Sequence, residues 1–262
     1  MSLGIYLFCL TPAELHPVIA GMGIDGEHPP FVEVIGEVAA VLAKVDIEDF
    51  TGPESQEKLN DLKWVAPRAL RHEEIILDVM EQGPVLPVRF GTVFSSPEAL
   101  ALPLKGHGET LVRFLLDAAG RKEWTLRGYV HMEQTRSGVM ADCLAAEKGQ
   151  LVGMTPGKRY FLEQKIKGQA DKSVAAWLKE MGRDVLGVVE RMSVGFSECR
   201  LQSQDVTGRD EEMFFHGALL VPDGSVAALE GMMDEWNKRH EPQGLSLELS
   251  GPWPSYHFAP VL

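Results

Sequence analysis

The chain has 262 residues, of which 45% are apolar and 24% are charged, a composition typical of folded proteins and unlike that of disordered ones. Its 38 acidic residues outnumber the 25 Lys and Arg residues and give a net charge of -13, which argues against a nucleic-acid partner and against an anionic membrane surface. Residues 1–11 lack the basic and apolar regions of a signal peptide, and no segment is apolar enough to span a membrane, so we expect a cytoplasmic protein.

A chain of this length is expected to form two domains, and its first half carries the periodicity of a mixed α and β domain. The apolar residues 3–10 predict a buried strand, and 13–20 predict a short first helix. Further predicted elements are a hairpin of strands at 31–35 and 38–45, a helix at 66–82, an edge strand at 85–90 that contains Pro87, and a broken helical stretch at 96–119. We place the domain boundary near residue 121.

The second half alternates between strands and helices in a regular order. Its predicted elements are a strand at 123–132, a helix at 157–192, strands at 194–202 and 213–221, a helix at 225–239 and a strand at 245–249. This β-α-β-β-α-β order is typical of the ferredoxin-like fold, an antiparallel sheet with helices on one face. We therefore expect an α+β protein with a ferredoxin-like C-terminal domain, 122–262, and an N-terminal domain, 1–121, that is a related or irregular α+β domain.

The long predicted helix carries a narrow apolar seam. Its members are spaced alternately four and three residues apart and are Val174, Leu178, Met181, Val185, Val188 and Met192. The seam is short, and glycines within the helix weaken it. Packing of the seam against the chain's own sheet is favoured, and a self-assembling scaffold built on the seam is the alternative.

Two glycine-rich segments resemble nucleotide-binding motifs but are incomplete. Residues 21–26 match GxGxxG, yet two prolines follow almost directly and prevent the helix that a dinucleotide site needs. Residues 153–159 resemble a phosphate-binding loop with one residue too few, and Arg159 stands where Ser or Thr would hold magnesium. The first segment therefore predicts a loop, and the second predicts the start of the long helix.

Histidine and cysteine residues are placed without the spacing of a metal or catalytic site. Four residues after His72 stands Ile76 rather than a second histidine, and Cys9, Cys143 and Cys199 are far apart in the sequence. No Gly-x-Ser-x-Gly nucleophile motif occurs. We expect no catalytic, cofactor-binding or metal-binding residue, and therefore a protein that binds other proteins.

Four segments have features that composition alone does not require. Residues 84–94 read PVLPVRFGTVF and follow a helix with a His-Glu pair, 123–124 are Glu-Trp, 156–162 read PGKRYFL, and 249–258 read LSGPWPSYHF. The first of them combines prolines and an arginine with a strand, an unusual choice for a segment that is only core. In this order, and over nearly the whole chain, these segments resemble the gas vesicle protein family GvpL/GvpF.

The resemblance implies a part in forming gas vesicles, the gas-filled protein shells that give aquatic microbes buoyancy. Members are regarded as non-enzymatic assembly or minor shell-associated proteins that contact the hydrophobic shell subunit and other accessory proteins, without a cofactor. It also implies a cytoplasmic protein associated with gas vesicles. The alternative function is that of a small-molecule enzyme or sensor built on the ferredoxin-like sheet.

The resembling segments supply five candidate protein-binding residues, Arg89, Phe90, Trp253, Tyr256 and Phe258. Prolines keep the aromatic residues of the tail on a stiff segment that would lose little entropy on docking, although the tail could instead fold back as a lid between the domains. Arg89 could meet a carboxylate of a partner, but an internal ion pair with Glu73 or Glu74 is favoured.

Overall fold

The computed structural model describes residues 2–53, 55–138 and 155–260. The chain divides into two compact units, one formed by Met1–Glu123 together with Pro252–Leu262 and the other by Trp124–Gly251. The predicted α+β class is confirmed, because helices surround two antiparallel sheets. The tail that begins at Pro252 belongs to the first unit, whereas the sequence-based division assigned it to the C-terminal domain.

The first sheet is built around one strand that is buried along almost its whole length. Its strands are β1 (Leu3–Pro12), β2 (Phe31–Ile35), β3 (Val38–Asp46), β4 (Leu86–Pro87) and β5 (Val93–Phe94). They are ordered β2-β3-β1-β4, with β5 also paired to β1, and every pair is antiparallel. An unbroken apolar run such as that of β1 is what a strand covered on both faces requires. The predicted hairpin of β2 and β3 is confirmed.

Helices cover both faces of this sheet. They are α1 (Ser55–Asn60), α2 (Leu62–Gln82), α3 (Pro97–Gly106) and α4 (Gly108–Ala118). Buried residues of α2 pack with Tyr6 and Phe8 of β1, whereas α3 and α4 pack with Leu7 and Leu10 of the same strand. Successive side chains of a strand point to opposite faces, and an irregularity between Leu7 and Cys9 shifts this alternation so that Leu10 joins the face of Leu7. The two helical layers therefore lie on opposite sides of β1.

The prediction of a short helix at 13–20 is wrong. Beyond β1 these residues form a turn and irregular backbone, and the Val18 N–H donates to the Gln82 side chain at 2.8 Å. Pro17 stands in the middle of the segment, where it removes a donor that a helix would need. Instead of forming a helix, the segment lies beside the C-terminal end of α2, where Val18 bonds to Gln82.

The second sheet has four strands and belongs mainly to the second unit. The elements are β6 (Arg121–Val130), α5 (Pro156–Met192), β7 (Gly195–Glu198), α6 (Gln204–Thr207), β8 (Glu212–Pro222), α7 (Val226–His240) and β9 (Leu245–Trp253). The strand order is β7-β8-β6-β9. Met181 and Val185 of the α5 seam share a buried core with Leu219 of β8 and Leu229 of α7. The prediction that the seam packs against its own sheet is confirmed for Leu178, Met181, Val185 and Met192, whereas Val189 takes the place in this core that was predicted for Val188.

Among the helices that the structure describes, none combines the length and the apolar character needed to cross a membrane.

Candidate functional site

The segment PVLPVRFGTVF does not form one continuous strand. Leu86 in β4 lies opposite Leu10 of β1, and Phe94 in β5 lies opposite Ile5. Between them the Val88 N–H donates to the Phe8 carbonyl and the Leu7 N–H donates to the Thr92 carbonyl, while residues 89–91 are not in strand conformation. We call residues 88–92 the arch. The predicted strand at 85–90 is therefore wrong beyond Pro87, although β4 does form the edge of the ordered strands, where a proline without an N–H is tolerated.

Two buried side chains, Tyr6 and His72, bond to the backbone of the arch. The Gly91 N–H donates to the Tyr6 hydroxyl at 2.9 Å, and this hydroxyl lies 2.9 Å from Nδ1 of His72. Nε2 of His72 lies 3.1 Å from the Val88 carbonyl oxygen. A neutral imidazole protonated at Nε2 satisfies all three contacts, because the Tyr6 hydroxyl then donates to Nδ1 and Nε2 donates to the carbonyl.

Burial keeps this histidine uncharged. It lowers the pKa of His72 from its ordinary value of 6.5 to about 4, although the bond to the Val88 carbonyl opposes the shift. Burial also raises the pKa of the Tyr6 hydroxyl well above its usual range, while the Gly91 N–H acts in the opposite direction. The pair is therefore a neutral clasp across a wide range of pH and not an acid-base pair poised for catalysis.

Arg89 and Phe90, in the middle of the arch, differ in their surroundings. The Phe90 ring lies 5.9 Å from the His72 ring and 6.3 Å from the Tyr6 ring, within the aromatic part of the core. Arg89 is exposed, and within the described ranges its side chain makes no ion pair. The predicted pair with Glu73 or Glu74 is absent there, since Glu73 accepts a bond from Tyr256 and Glu74 pairs with Arg71.

The C-terminal tail is fastened to the first unit by two carboxylates. The Tyr256 hydroxyl donates to Glu73 Oε2 at 2.9 Å. Glu123 accepts two bonds, one from the His257 N–H at 2.9 Å and one from the His257 imidazole Nδ1 at 2.6 Å. Because Glu123 is only 2% exposed, these two donors satisfy a carboxylate that would otherwise be costly to bury.

Burial affects both partners of the Tyr256 bond. It raises the pKa of Glu73, and the Tyr256 hydroxyl partly opposes this by stabilising the carboxylate. It also raises the pKa of the Tyr256 hydroxyl, as does the negative charge of Glu73 beside it. The tyrosine therefore remains a donor and the tail contact persists at neutral pH.

A groove of about 670 Å³ lies between the arch, helix α3 and the tail. Its apolar walls come from Leu86, Val88, Phe94, Leu104 and Pro103 among others. Its polar lining residues are Arg89, Thr92, Tyr256 and His257. Two segments that stand out in the sequence, 84–94 and 249–258, are thus brought to one concave surface within the first unit.

The groove includes only part of the predicted set of binding residues. Arg89 and Tyr256 line it, while Phe90 is half-buried and packs against the core. Trp253, at 39% exposed, and the half-buried Phe258 are not among the lining residues.

Sequence reasoning missed other residues of this site. His257 and Glu123 belong to the resembling segments 249–258 and 123–124 but were not among the five candidate binding residues, and the wall from α3 had no signal in the sequence. The signal for His257 was present in the terminal motif, but nothing local in the sequence indicates its pairing with Glu123, 134 positions away.

In the described residues, Asp25, Glu27 and His28 are a group with the spacing of a metal site, their ligand atoms lying within 4.8 Å of one another. One Asp25 carboxylate oxygen accepts the N–H groups of Glu27 and His28, and the other lies 2.6 Å from Nδ1 of His28. These bonds make a local turn that closes the GxGxxG segment. The segment is a loop, as predicted, and β2 follows it instead of a helix.

The sequence of this chain matches a known family along almost its entire length. The chain belongs to the family described as gas vesicle synthesis protein GvpL/GvpF, whose model matches residues 4–260. It is 26% identical over 276 residues to gas vesicle protein L2 of Halobacterium salinarum, covering 99% of this chain and 92% of that protein. It is also 26% identical to gas vesicle protein L of a Streptomyces species, covering 91% of this chain and 86% of that protein. The resemblance inferred from the four segments is confirmed.

Solved structures support the fold. The crystal structure of GvpF from Anabaena sp. PCC7120 matches with a TM-score of 0.69 at 14% identity, over 100% of this chain and 98% of that one. GvpF from Microcystis aeruginosa matches with a TM-score of 0.63 at 16% identity, over 98% and 99% of the two chains. The mixed α+β architecture is therefore shared with these GvpF structures.

Proposed function

We propose that this chain is a non-enzymatic assembly protein or minor shell-associated protein that binds the hydrophobic gas vesicle shell subunit and other gas vesicle proteins. Membership of the family supports a role in gas vesicle formation. The observation that carries the binding proposal is the groove, because the strand motif and the terminal motif line it together although they lie far apart in the sequence.

The chemistry of the task supports a binder of this kind. A shell that excludes water needs subunits with large apolar faces, and such faces aggregate unless another molecule covers them. A chain with a net charge of -13 stays dispersed through self-repulsion, while an apolar groove on its surface can accept an apolar segment. Affinity for apolar surface and resistance to aggregation are thereby combined in one molecule.

The polar groups of the groove favour binding over catalysis. The Tyr256 hydroxyl bonds to Glu73, Nδ1 of His257 bonds to Glu123, and the Thr92 hydroxyl donates to the Arg89 carbonyl at 2.6 Å. These bonds leave no nucleophile and base in contact with each other among the lining residues, which is the arrangement that acid-base or nucleophilic catalysis would require. The alternative of a small-molecule enzyme or sensor is therefore less well supported.

We also propose a cellular location and a domain organisation for the chain. We place it in the cytoplasm, in association with gas vesicles. We treat the two units as domains, and we class the second as ferredoxin-like, because its β-α-β-β-α-β order and its strand order β7-β8-β6-β9 are those expected for that fold.

Co-expression with the shell subunit tests the binding proposal. A tagged copy of this chain is expressed before, together with or after the shell subunit, and the captured complexes are analysed for the shell subunit. We expect the shell subunit to be retained by the tagged chain and not by an unrelated acidic protein carrying the same tag. Failure to associate under every order of expression would contradict the proposal.

A further inference from the structure

Arg89 is an exposed cation that lines the groove, and no Asp or Glu of the described residues pairs with it. The chain has 38 acidic residues, and Glu73 and Glu74 were the predicted partners of Arg89. Glu73 instead accepts a hydrogen bond from Tyr256, and Glu74 forms an ion pair with Arg71. No Asp or Glu lines the groove among the described residues. A guanidinium presents a rigid fork of donors that matches a carboxylate, so this position is suited to receive an acidic side chain from outside the chain.

The backbone that carries Arg89 is fixed before any partner arrives. The Thr92 hydroxyl donates to the Arg89 carbonyl, and the arch is held on one side by His72 and on the other by Tyr6. Gly91, with a φ of 84°, has the left-handed conformation that lets the arch turn between these two points. A preorganised position loses less entropy on binding than a mobile one, which favours a specific contact over a diffuse electrostatic one.

The walls of the groove define the rest of the occupant. Val88, Phe94 and Pro103 present apolar surface beside the buried Leu86 and Leu104. The volume of about 670 Å³ has room for a short polypeptide segment and not for a folded domain. One cation among apolar walls suits one carboxylate on an apolar segment. A polyanion such as a nucleic acid is a poor match, because the chain as a whole carries a charge of -13.

We propose that the groove is the docking site for an apolar segment of the shell subunit that carries an Asp or Glu side chain, and that Arg89 binds this carboxylate. The inference rests on the proposed function, since it assumes the shell subunit as the partner. It adds the surface, the residue that recognises the partner and the chemical character of the bound segment.

Two substitutions with matched controls test the surface. Arg89→Gln removes the cation, and Pro103→Glu places a negative charge on the exposed part of the α3 wall. The controls are Arg113→Gln, at an exposed arginine of α4 outside the groove, and Leu102→Glu, at a neighbour of Pro103 that is 75% exposed and does not line the groove. We expect each groove variant to lose about tenfold or more in affinity for the shell subunit, and each control to bind as the unaltered chain does.

Overlapping synthetic peptides that tile the shell subunit test the chemistry of the occupant. We expect one apolar peptide containing Asp or Glu to bind the unaltered chain. Its Asp→Asn or Glu→Gln version is expected to bind the unaltered chain more weakly. With the Arg89→Gln variant, the two versions of the peptide are expected to bind with nearly equal affinity. Such coupling in a double-mutant cycle identifies a direct pair. Arg89→Lys, which keeps the charge but not the fork, is expected to bind with intermediate affinity.

The outcomes separate this inference from the proposed function. If the whole shell subunit is captured but the groove variants capture it equally well, or if no carboxylate-containing peptide binds, the docking inference is wrong and the proposed function stands. If the unaltered chain captures no shell subunit, the proposed function itself fails. Thermal unfolding of every variant must match that of the unaltered chain for a loss of binding to count.

Discussion

The Tyr6 hydroxyl connects two parts of the molecule that are distant in sequence. It accepts a bond from Gly91 in the arch and donates to His72 on α2, and both tyrosine and histidine are buried. A buried polar group that loses its partner costs more free energy than the bond itself contributes. The clasp is therefore a sensitive point for the stability of the arch, even though neither side chain touches the groove.

Tyr6→Phe is expected to lower the free energy of unfolding by about 1–3 kcal/mol, because it leaves the Gly91 N–H and Nδ1 of His72 without their partner. Urea denaturation of the full chain measures this loss. The control is Tyr129→Phe, at a buried tyrosine whose ring lies under Arg209 and whose hydroxyl makes no bond that the described residues show. A loss at Tyr6 no larger than at Tyr129 would contradict the role given to the clasp.

His72 is expected to make stability depend on pH. Its pKa is about 4 in the folded chain against an ordinary value of 6.5, so between these values the unfolded state binds more protons. The contribution is present in full above pH 6.5 and is lost as the pH falls through about 4, and it amounts to about 3 kcal/mol at most.

Denaturation curves at several pH values compare the unaltered chain with His72→Gln. The variant is expected to be less stable at neutral pH and to lose less stability as the pH falls. Parallel pH profiles for the two proteins would show that His72 does not titrate in this way.

At the scale of elements, the tail and the arch together form the groove. Tyr256 and His257 attach the tail to Glu73 and Glu123, whereas Trp253 remains exposed. Within the first unit, the tail forms one wall of the groove. Different residues of the same short segment are expected to serve stability and binding.

Tyr256→Ala is expected to lower the free energy of unfolding by about 2 kcal/mol or more, because it removes packed ring surface and leaves the Glu73 carboxylate without its donor. Trp253→Ala is expected to cost less stability than Tyr256→Ala, because Trp253 is 39% exposed, and to weaken partner binding through a contact beside the groove. Thermal unfolding measures the stability of each variant, and capture of the shell subunit measures its binding. Equal losses of stability at both positions would contradict this division of roles.

Local patterns in the sequence predict most elements but not the site. The strand β1 and helices α2 and α5 are long apolar or periodic segments, so burial alone determines their type. The break in 84–94 depends on Tyr6 and His72, and the placing of the tail depends on Glu123. These are contacts between distant residues, which leave no trace in local periodicity. The candidates Arg89 and Tyr256 came from the family resemblance, and their meeting in one groove required the fold.

At the scale of the whole molecule, each unit has its own buried core. The first unit packs two apolar clusters on the two faces of its sheet, and the second packs one cluster between its sheet and helices α5 and α7. A unit with a core of its own is expected to fold by itself. This is the physical basis for treating the two units as domains.

The segment from Arg121 to Trp253, expressed alone, is expected to be helical by circular dichroism and to unfold cooperatively on heating. Leu229→Ala in this fragment should lower its free energy of unfolding by about 2–5 kcal/mol, since Leu229 is fully buried in the core. A fragment that melts without a cooperative transition would contradict its assignment as a domain.

The central claim is that this chain serves gas vesicle formation by binding, through the groove of its first unit. The most direct measurement is the yield of gas vesicles in cells that carry every other gas vesicle gene and are supplied with the unaltered chain, with Pro103→Glu or with Leu102→Glu. We predict vesicles with the unaltered chain and with Leu102→Glu, and few or none with Pro103→Glu or without the chain. Equal yields in all four strains would contradict the account.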